Sequence, residues 1–364
     1  MSVASDVPDI LAGLDNLMEQ GIQQRAFPGA TLWVGWRGET LLCSAYGKTA
    51  DQAYDQYEPV PVTTNTLYDL ASLTKVIATT TAILQLIEQG KLGLDDPICS
   101  YLPQFGCDAQ KATITIRHAL THTSGLPGPC RLYHHYHGPA QILAGICQQE
   151  LTFPPGTHYL YNDLGFILLG EVLRTITTLD LNSYTRRYIF EPLGMYDTLF
   201  TPPATLKPRI APTEYVTWRG GLVHGTVHDE NAAELDGVAG HAGLFSTVED
   251  LARFCTMLLQ DGSYNEQRIL RPATIALMNT IHVPDPDEAY GLGWVIAAPY
   301  FMGQLASNST IGHTGFTGTS LLIDPARQLA AVFLSNCVCP QRGFNLNPYR
   351  RGIANILASL FDTF

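Results

Sequence analysis

Strand-like segments at both ends of the chain, with helical segments between them, restrict the fold more than any other feature. "GATLWVGWRGETLLCSAYG" (29–47) reads as two strands joined at Arg37-Gly38, a hairpin. "YGLGWVIAAPY" (290–300), "STIGHTG" (309–315) and "TSLLIDPARQLAAVFLSN" (319–336) are again rich in β-branched and aromatic residues. The last contains a hairpin turn at Asp324-Pro325-Ala326-Arg327. Residues 8–24 and "PYRRGIANILASLF" (348–361) have helical spacing. Hairpins at both termini predict one antiparallel sheet, covered by the terminal helices. The expected class is α+β. Residues 1–70 and 286–364 would form a sheet-bearing lobe, and 71–285 a mainly helical lobe.

The middle supports that division. Residues 50–68 read as a loop. "DLASLTKVIATTTAILQLIEQG" (69–90) predicts a helix that stops at Gly90, and "FILLGEVLRTI" and "DLARFCTMLLQDG" predict two more. "HHYHGPAQILAGICQQ" ends in another.

Composition narrows the function classes. The chain has 364 residues, 46% of them hydrophobic, and a net charge of −12. That balance argues against nucleic acid or an anionic membrane surface as partner. No segment approaches the roughly 20 apolar residues of a membrane helix. Asp6 and Asp9 interrupt the apolar run that a signal peptide requires, so a cytoplasmic location is expected if Met1 is the true start. A trimmed start would leave periplasmic or secreted locations open. The eight cysteines, including Cys337 and Cys339 at Cys-x-Cys spacing, read as reduced packing residues.

Three stretches carry candidate chemistry. Ser72 and Lys75 are three residues apart and share a helix face. An all-round apolar helix would desolvate Lys75 and push it toward neutrality, so that it could take a proton from Ser72. Tyr161 precedes a helix expected to begin near Asp163; beside a cationic lysine it would lose its proton more readily and relay it. Glycines around "HTGFTG" would let a strand edge approach a ligand, with His313 as a hydrogen-bonding group.

Taken jointly, "ASLTK", "YND" and "HTG" resemble the three motifs of the serine beta-lactamase and penicillin-binding superfamily. The likeness is nearest to class C beta-lactamases, related D,D-peptidases and esterases. It extends through "TIRHALTHTSGLP", "FPPGTHYLYNDLGFILLG" and "GHAGLFSTVEDLARF". The resemblance implies an antiparallel sheet with helices, a helical lobe, and a site between them. It implies Ser72 as acylated nucleophile, Lys75 as activating base, and Tyr161 as base or proton shuttle. The backbone N–H groups of Ser72 and Phe316 would form the oxyanion hole. Asp163, His313, Thr314 and Gly315 would meet substrate. No metal or cofactor is implied.

Two positions depart from the family pattern. Asp163 stands where the motif usually has Asn; ionised, it accepts hydrogen bonds and cannot donate them. His313 stands where many beta-lactamases have Lys. The expected activity is therefore hydrolysis of an amide or ester through an acyl-enzyme, on a beta-lactam, a D-amino-acid peptide or an ester. The competing class is a penicillin- or peptide-binding protein of the same fold without turnover. His118 with His122, His224 with His228, and "YHHYHG" (133–138) are weaker candidates for metal binding. "HDENAAELDGVAGHAG" is expected to form a loop near the cleft. No Gly-x-Ser-x-Gly occurs, which removes a nucleophile-elbow hydrolase.

Overall fold

A computed structural model describes residues 7–106, 108–283 and 289–361. Cys107 and the expected lobe boundary at 285/286 lie outside these residues. The main sheet has six antiparallel strands: β1 (Gly29–Trp36), β2 (Glu39–Gly47), β3 (Val295–Ile296), β4 (Ile311–Thr314), β5 (Ser320–Asp324) and β6 (Leu329–Ser335). Their order is β3-β4-β5-β6-β1-β2, so strands from the two ends of the chain meet where β6 pairs with β1. Arg37 and Gly38 both take positive φ, the geometry of the tight turn that matches strand twist.

The apolar runs of β1 and β6 are continuous because both faces of these strands are buried. Their residues divide by the two-residue period of a strand. Leu32, Val34, Ala331 and Phe333 face α1 (Val7–Gln23) and the C-terminal helix, while Trp33, Ala330, Val332 and Leu334 join the larger core on the other side. The terminal helices thus cover one face only. The other is covered by a helix from the middle of the chain, Val248–Leu259, which packs on β1, β5 and β6.

The segment expected to be one helix from 69 divides into three. Tyr68–Asp69 is a short strand paired with Leu244–Ser246. A turn follows, with Ala71 at φ 46 and its N–H given to the Asp69 carboxylate at 2.8 Å. Lys75–Thr80 winds as a π-helical turn and continues into α2 (Thr81–Glu88). Such wide turns recur at functional sites. The remaining helices that bear on the site are α3 (Ile116–Leu120), α4 (Leu164–Thr177), α5 (Val248–Leu259) and α6 (Asn347–Ala358). The free cysteines Cys255, Cys337 and Cys339 are buried packing residues. No helix among the described residues is long and apolar enough to cross a membrane.

Candidate active site

Ser72, Tyr161, His313, Thr314, Gly315 and Phe316 line one cleft of about 720 Å³. Lys75 lies beneath it, fully buried, and Asp163 is at its side. The three separated sequence motifs therefore converge.

Lys75 is held by three acceptors. Its Nζ is 2.9 Å from Ser72 Oγ, 3.2 Å from the His241 carbonyl and 2.7 Å from Asp163 Oδ1. Three acceptors occupy the three N–H bonds of an ammonium group. Burial alone would lower the Lys75 value, but Asp163 and Tyr161 outweigh it and hold the lysine above its usual range. The expectation of a lysine pushed toward neutrality is thus corrected: the apolar surroundings are real, but a carboxylate shares them. Asp163 differs from the family's usual Asn in carrying a carboxylate against Lys75. It spends its acceptor capacity on Lys75, with 28% of its side chain exposed toward solvent.

The Tyr161 ring centroid is 5.0 Å from Lys75 Nζ, and its hydroxyl is near enough to Lys75 and Ser72 for both to favour its ionised form. Burial raises its hydroxyl above the ordinary tyrosine value despite the neighbouring ammonium. The expected easier ionisation is therefore reversed, because desolvation of the phenolate exceeds the attraction of Lys75. Tyr161 is positioned by a residue assigned above only to a weak metal pair. His122 takes the Leu160 N–H on its carbonyl at 2.9 Å and the Asn162 N–H on its Nδ1 at 3.2 Å. Its ring lies 4.4 Å from the Tyr161 ring. His122 itself adopts φ 56, a conformation that non-glycine residues hold only where their surroundings enforce it. Asn162, not Asp163, caps α4: its Oδ1 accepts the Gly165 N–H at 3.0 Å.

The turn after β4 is tied to the turn before Ser72. Thr317 Oγ1 donates to the Asp69 carbonyl at 2.6 Å, and Thr319 Oγ1 to the Leu70 carbonyl at 3.0 Å. Asp69 also accepts the His228 N–H on Oδ2 at 2.6 Å, besides that of Ala71. These bonds fix the turn that leads to Ser72 relative to the turn that holds Phe316. Gly315 has no room for a side chain: a Cβ there would stand 2.0 Å from Thr319 Oγ1 and 2.5 Å from the Leu70 carbonyl. Phe316 is 58% exposed, with the His228 ring stacked 5.7 Å away and Arg342 over its face. Asp69 sits inside the apolar run that dominates this stretch, so periodicity gave no sign of it.

β3 pairs only with Ile311 and Gly312, which leaves the β4 edge at His313 and Thr314 without a strand partner on that side among the described residues. His313 is buried, not a surface group. Its Nδ1 is 2.9 Å from the Thr314 carbonyl and must carry the proton; Nε2, 3.1 Å from the Tyr290 hydroxyl, then accepts. Burial, with Lys75 nearby, lowers His313 to about 3, so it is neutral at physiological pH. The cation of this cleft is instead Arg350 on α6. Burial lowers it to about 10, still charged at neutral pH. Its guanidinium donates to the Gly315 and Thr319 carbonyls at 3.0 and 2.9 Å and to Asn347 Oδ1 at 2.9 Å. Arg350 and Asn347 both line the cleft. Sequence reasoning passed over Arg350, since one arginine on an amphipathic terminal helix reads as a solvated face.

The other histidines have local partners. His118 Nδ1 accepts the Thr115 N–H and caps α3, His224 bonds the Ile210 carbonyl, and His228 Nε2 pairs with Glu214. In "YHHYHG", His137 meets Glu234. Among the described residues, no three His, Cys, Asp or Glu side chains are grouped to hold a metal ion. The expected loop near the cleft contains the helix Glu230–Glu234, and its Asp229 accepts from His241 Nε2 at 2.8 Å.

Comparison with known proteins identifies the family. The family model described as Beta-lactamase matches residues 14–355. A protein of Escherichia coli (strain K12), provisionally named D-alanyl-D-alanine carboxypeptidase, is 34% identical over 88% of this chain and 82% of its own length. A similarly named protein of Salmonella enteritidis PT4 is 34% identical over 85% of this chain and 79% of its own. Two solved structures share the fold. EstCE1, a hydrolase with promiscuous acyltransferase activity, has a TM-score of 0.78 at 24% identity over 98% of this chain and 100% of its own. A class C beta-lactamase has a TM-score of 0.79 at 22% identity over 98% and 97%. By the span of the matching model and the identity of these relatives, the chain belongs to the beta-lactamase family of serine hydrolases.

Proposed function

We propose that this hydrolase cleaves a peptide ending in a D-amino acid, with Ser72 as the acylated nucleophile. The observation that carries the reading is Lys75 Nζ at 2.9 Å from Ser72 Oγ, in a cleft whose lining cation is Arg350. A C-terminal carboxylate needs such a cation, and neutral His313 does not supply it. The provisional name shared by the E. coli and Salmonella relatives supports the same substrate class.

Lys75 acts as a fixed cation rather than as the resting base. As Ser72 Oγ bonds to the carbonyl carbon, its proton passes to Tyr161 Oη, and the Tyr161 proton passes to the departing nitrogen. No free tyrosinate is required, in keeping with its raised value. The Ser72 and Phe316 N–H groups receive the oxyanion. Water then bonds through its oxygen to the acyl carbon and gives a proton to Tyr161 Oη, while the Tyr161 proton passes to Ser72 Oγ as the acyl–oxygen bond breaks.

A second reading, an esterase, is favoured by Asp163. Engaged with Lys75 and unable to donate, it offers no hydrogen bond to a substrate amide carbonyl. Incubation with an N-acyl-D-alanyl-D-alanine, a short-chain aryl ester and a penicillin, read by intact mass and product release, separates these readings. Release of D-alanine supports the first, and turnover of the ester alone supports the second. A stable penicillin adduct without turnover of either would point to a binding protein. Loss of every signal in Ser72→Ala is required by all of them.

A further inference from the structure

A second cavity, of about 640 Å³, adjoins the cleft: Cys337 and Phe344 line both. Arg25 and Lys48 stand on its wall. Neither has a carboxylate within ion-pair distance among the described residues, although acidic residues outnumber basic ones 33 to 21 in this chain. The one carboxylate on the same wall, Asp51, accepts from the Tyr54 hydroxyl at 2.5 Å. Arg25 holds φ 55 just past the end of α1, a place where glycine is the favoured residue. An arginine in that conformation projects a charge at some expense in backbone preference. Phe27 and Ile22 supply an apolar floor.

We infer that this cavity is a remote subsite for an anionic group, and that the substrate is an extended peptide carrying a carboxylate distant from the scissile bond. Concave, partly apolar sites with a few polar or charged groups are where ligands are oriented, and two cations without an ion-pair partner among the described residues raise the local concentration of an anion. Phe344, exposed between the two cavities, would pack against the intervening backbone. The inference rests on the serine-hydrolase reading above, but not on which bond is cleaved.

The test uses two peptides that share a D-alanyl-D-alanine end and differ only in a remote Glu or Gln. Each is assayed as a substrate and, by isothermal calorimetry, as a ligand, so that binding is read independently of turnover. The wild-type protein is expected to bind the Glu peptide about tenfold more tightly, with the preference declining as salt rises. In Arg25→Ala/Lys48→Ala the preference falls to about onefold, with aryl-ester kcat/KM unchanged. Arg25→Gly, which suits the positive φ, serves as a second variant expected to melt no lower than wild type while losing part of the preference. Equal binding of the two peptides by wild type, or a preference that survives in the double variant, overturns the subsite. An inorganic phosphate arm distinguishes a general anion site: competition by phosphate at concentrations near the peptide's own removes the assignment to a peptide carboxylate. Absence of aryl-ester and peptide turnover alike, with binding preference intact, would count against the hydrolase reading and not against the subsite.

Discussion

Replacing Asp163 by Asn, the residue usual in the family, tests whether a carboxylate is what keeps Lys75 charged. The carboxylate is 2.7 Å from a fully buried ammonium group, and the other two acceptors are a hydroxyl and a carbonyl. Removing one partner of a buried ion pair is destabilising by about 3–5 kcal/mol, and the partial exposure of Asp163 puts this case near 3. With an unfolding entropy of about 2.1 cal/mol/K per residue, a 364-residue chain would melt about 4 °C lower. The pH dependence is the sharper signature. In the wild type the folded lysine value is raised, so the pair stabilises fully below the unfolded value of about 10.4 and fades only as pH rises through the folded value. In Asp163→Asn, burial governs and the folded value falls below the unfolded one. Between those two values the folded lysine is neutral while the unfolded one is charged, so stability of the variant climbs with pH. Thermal melts of both proteins from pH 6.5 to 9.5 should show the deficit largest at the acid end and shrinking toward the alkaline end. A variant as stable as wild type at pH 6.5, or a deficit that stays constant to pH 9.5, would refute the reasoning.

Other outcomes follow from the same geometry. His122→Ala should lower kcat on any turned-over ester by about tenfold or more through loss of Tyr161 orientation, whereas His122→Asn, which tolerates the positive φ and keeps an acceptor, should recover part of it; equal rates in the two variants would count against a positioning role. Gly315→Ala places a Cβ 2.0 Å from Thr319 Oγ1 and should displace the Phe316 N–H; under its proposed role as an oxyanion donor, kcat should fall by about 10²-fold. Burial raises Asp250 to about 6 against the bonds from Thr198, the Asp197 N–H and Arg253. Its unfolded carboxyl ionises first, so stability should decline by up to about 3 kcal/mol as pH rises from 4 to 6. Asp250→Asn should flatten that slope in urea titrations.

The candidate site was legible in part because its chemistry depends on short, ordered motifs. Ser72, Lys75 and Tyr161 are close in space because a turn, a helix and a helix N-terminus each present one of them. Short-range pattern could locate those elements. It could not reveal what each side chain would face. His122 was visible only as a histidine four residues from another, although three contacts make it the support of Tyr161. Asp69 looked like the first residue of an apolar helix, yet it ties the Ser72 turn to the Phe316 turn.

By itself the sequence determined the terminal hairpins, the helical middle, and the residue types available for acyl transfer. Alternation and turn residues act over a few positions, so they survive without knowledge of neighbours. Tertiary structure alone decided the charge of Lys75, the neutrality of His313 and the place of Arg350 in the cleft. Each depends on balancing desolvation against a partner distant in the chain. For Lys75 the carboxylate is 88 residues away and 2.7 Å distant in space, and at that separation the attraction overcomes burial.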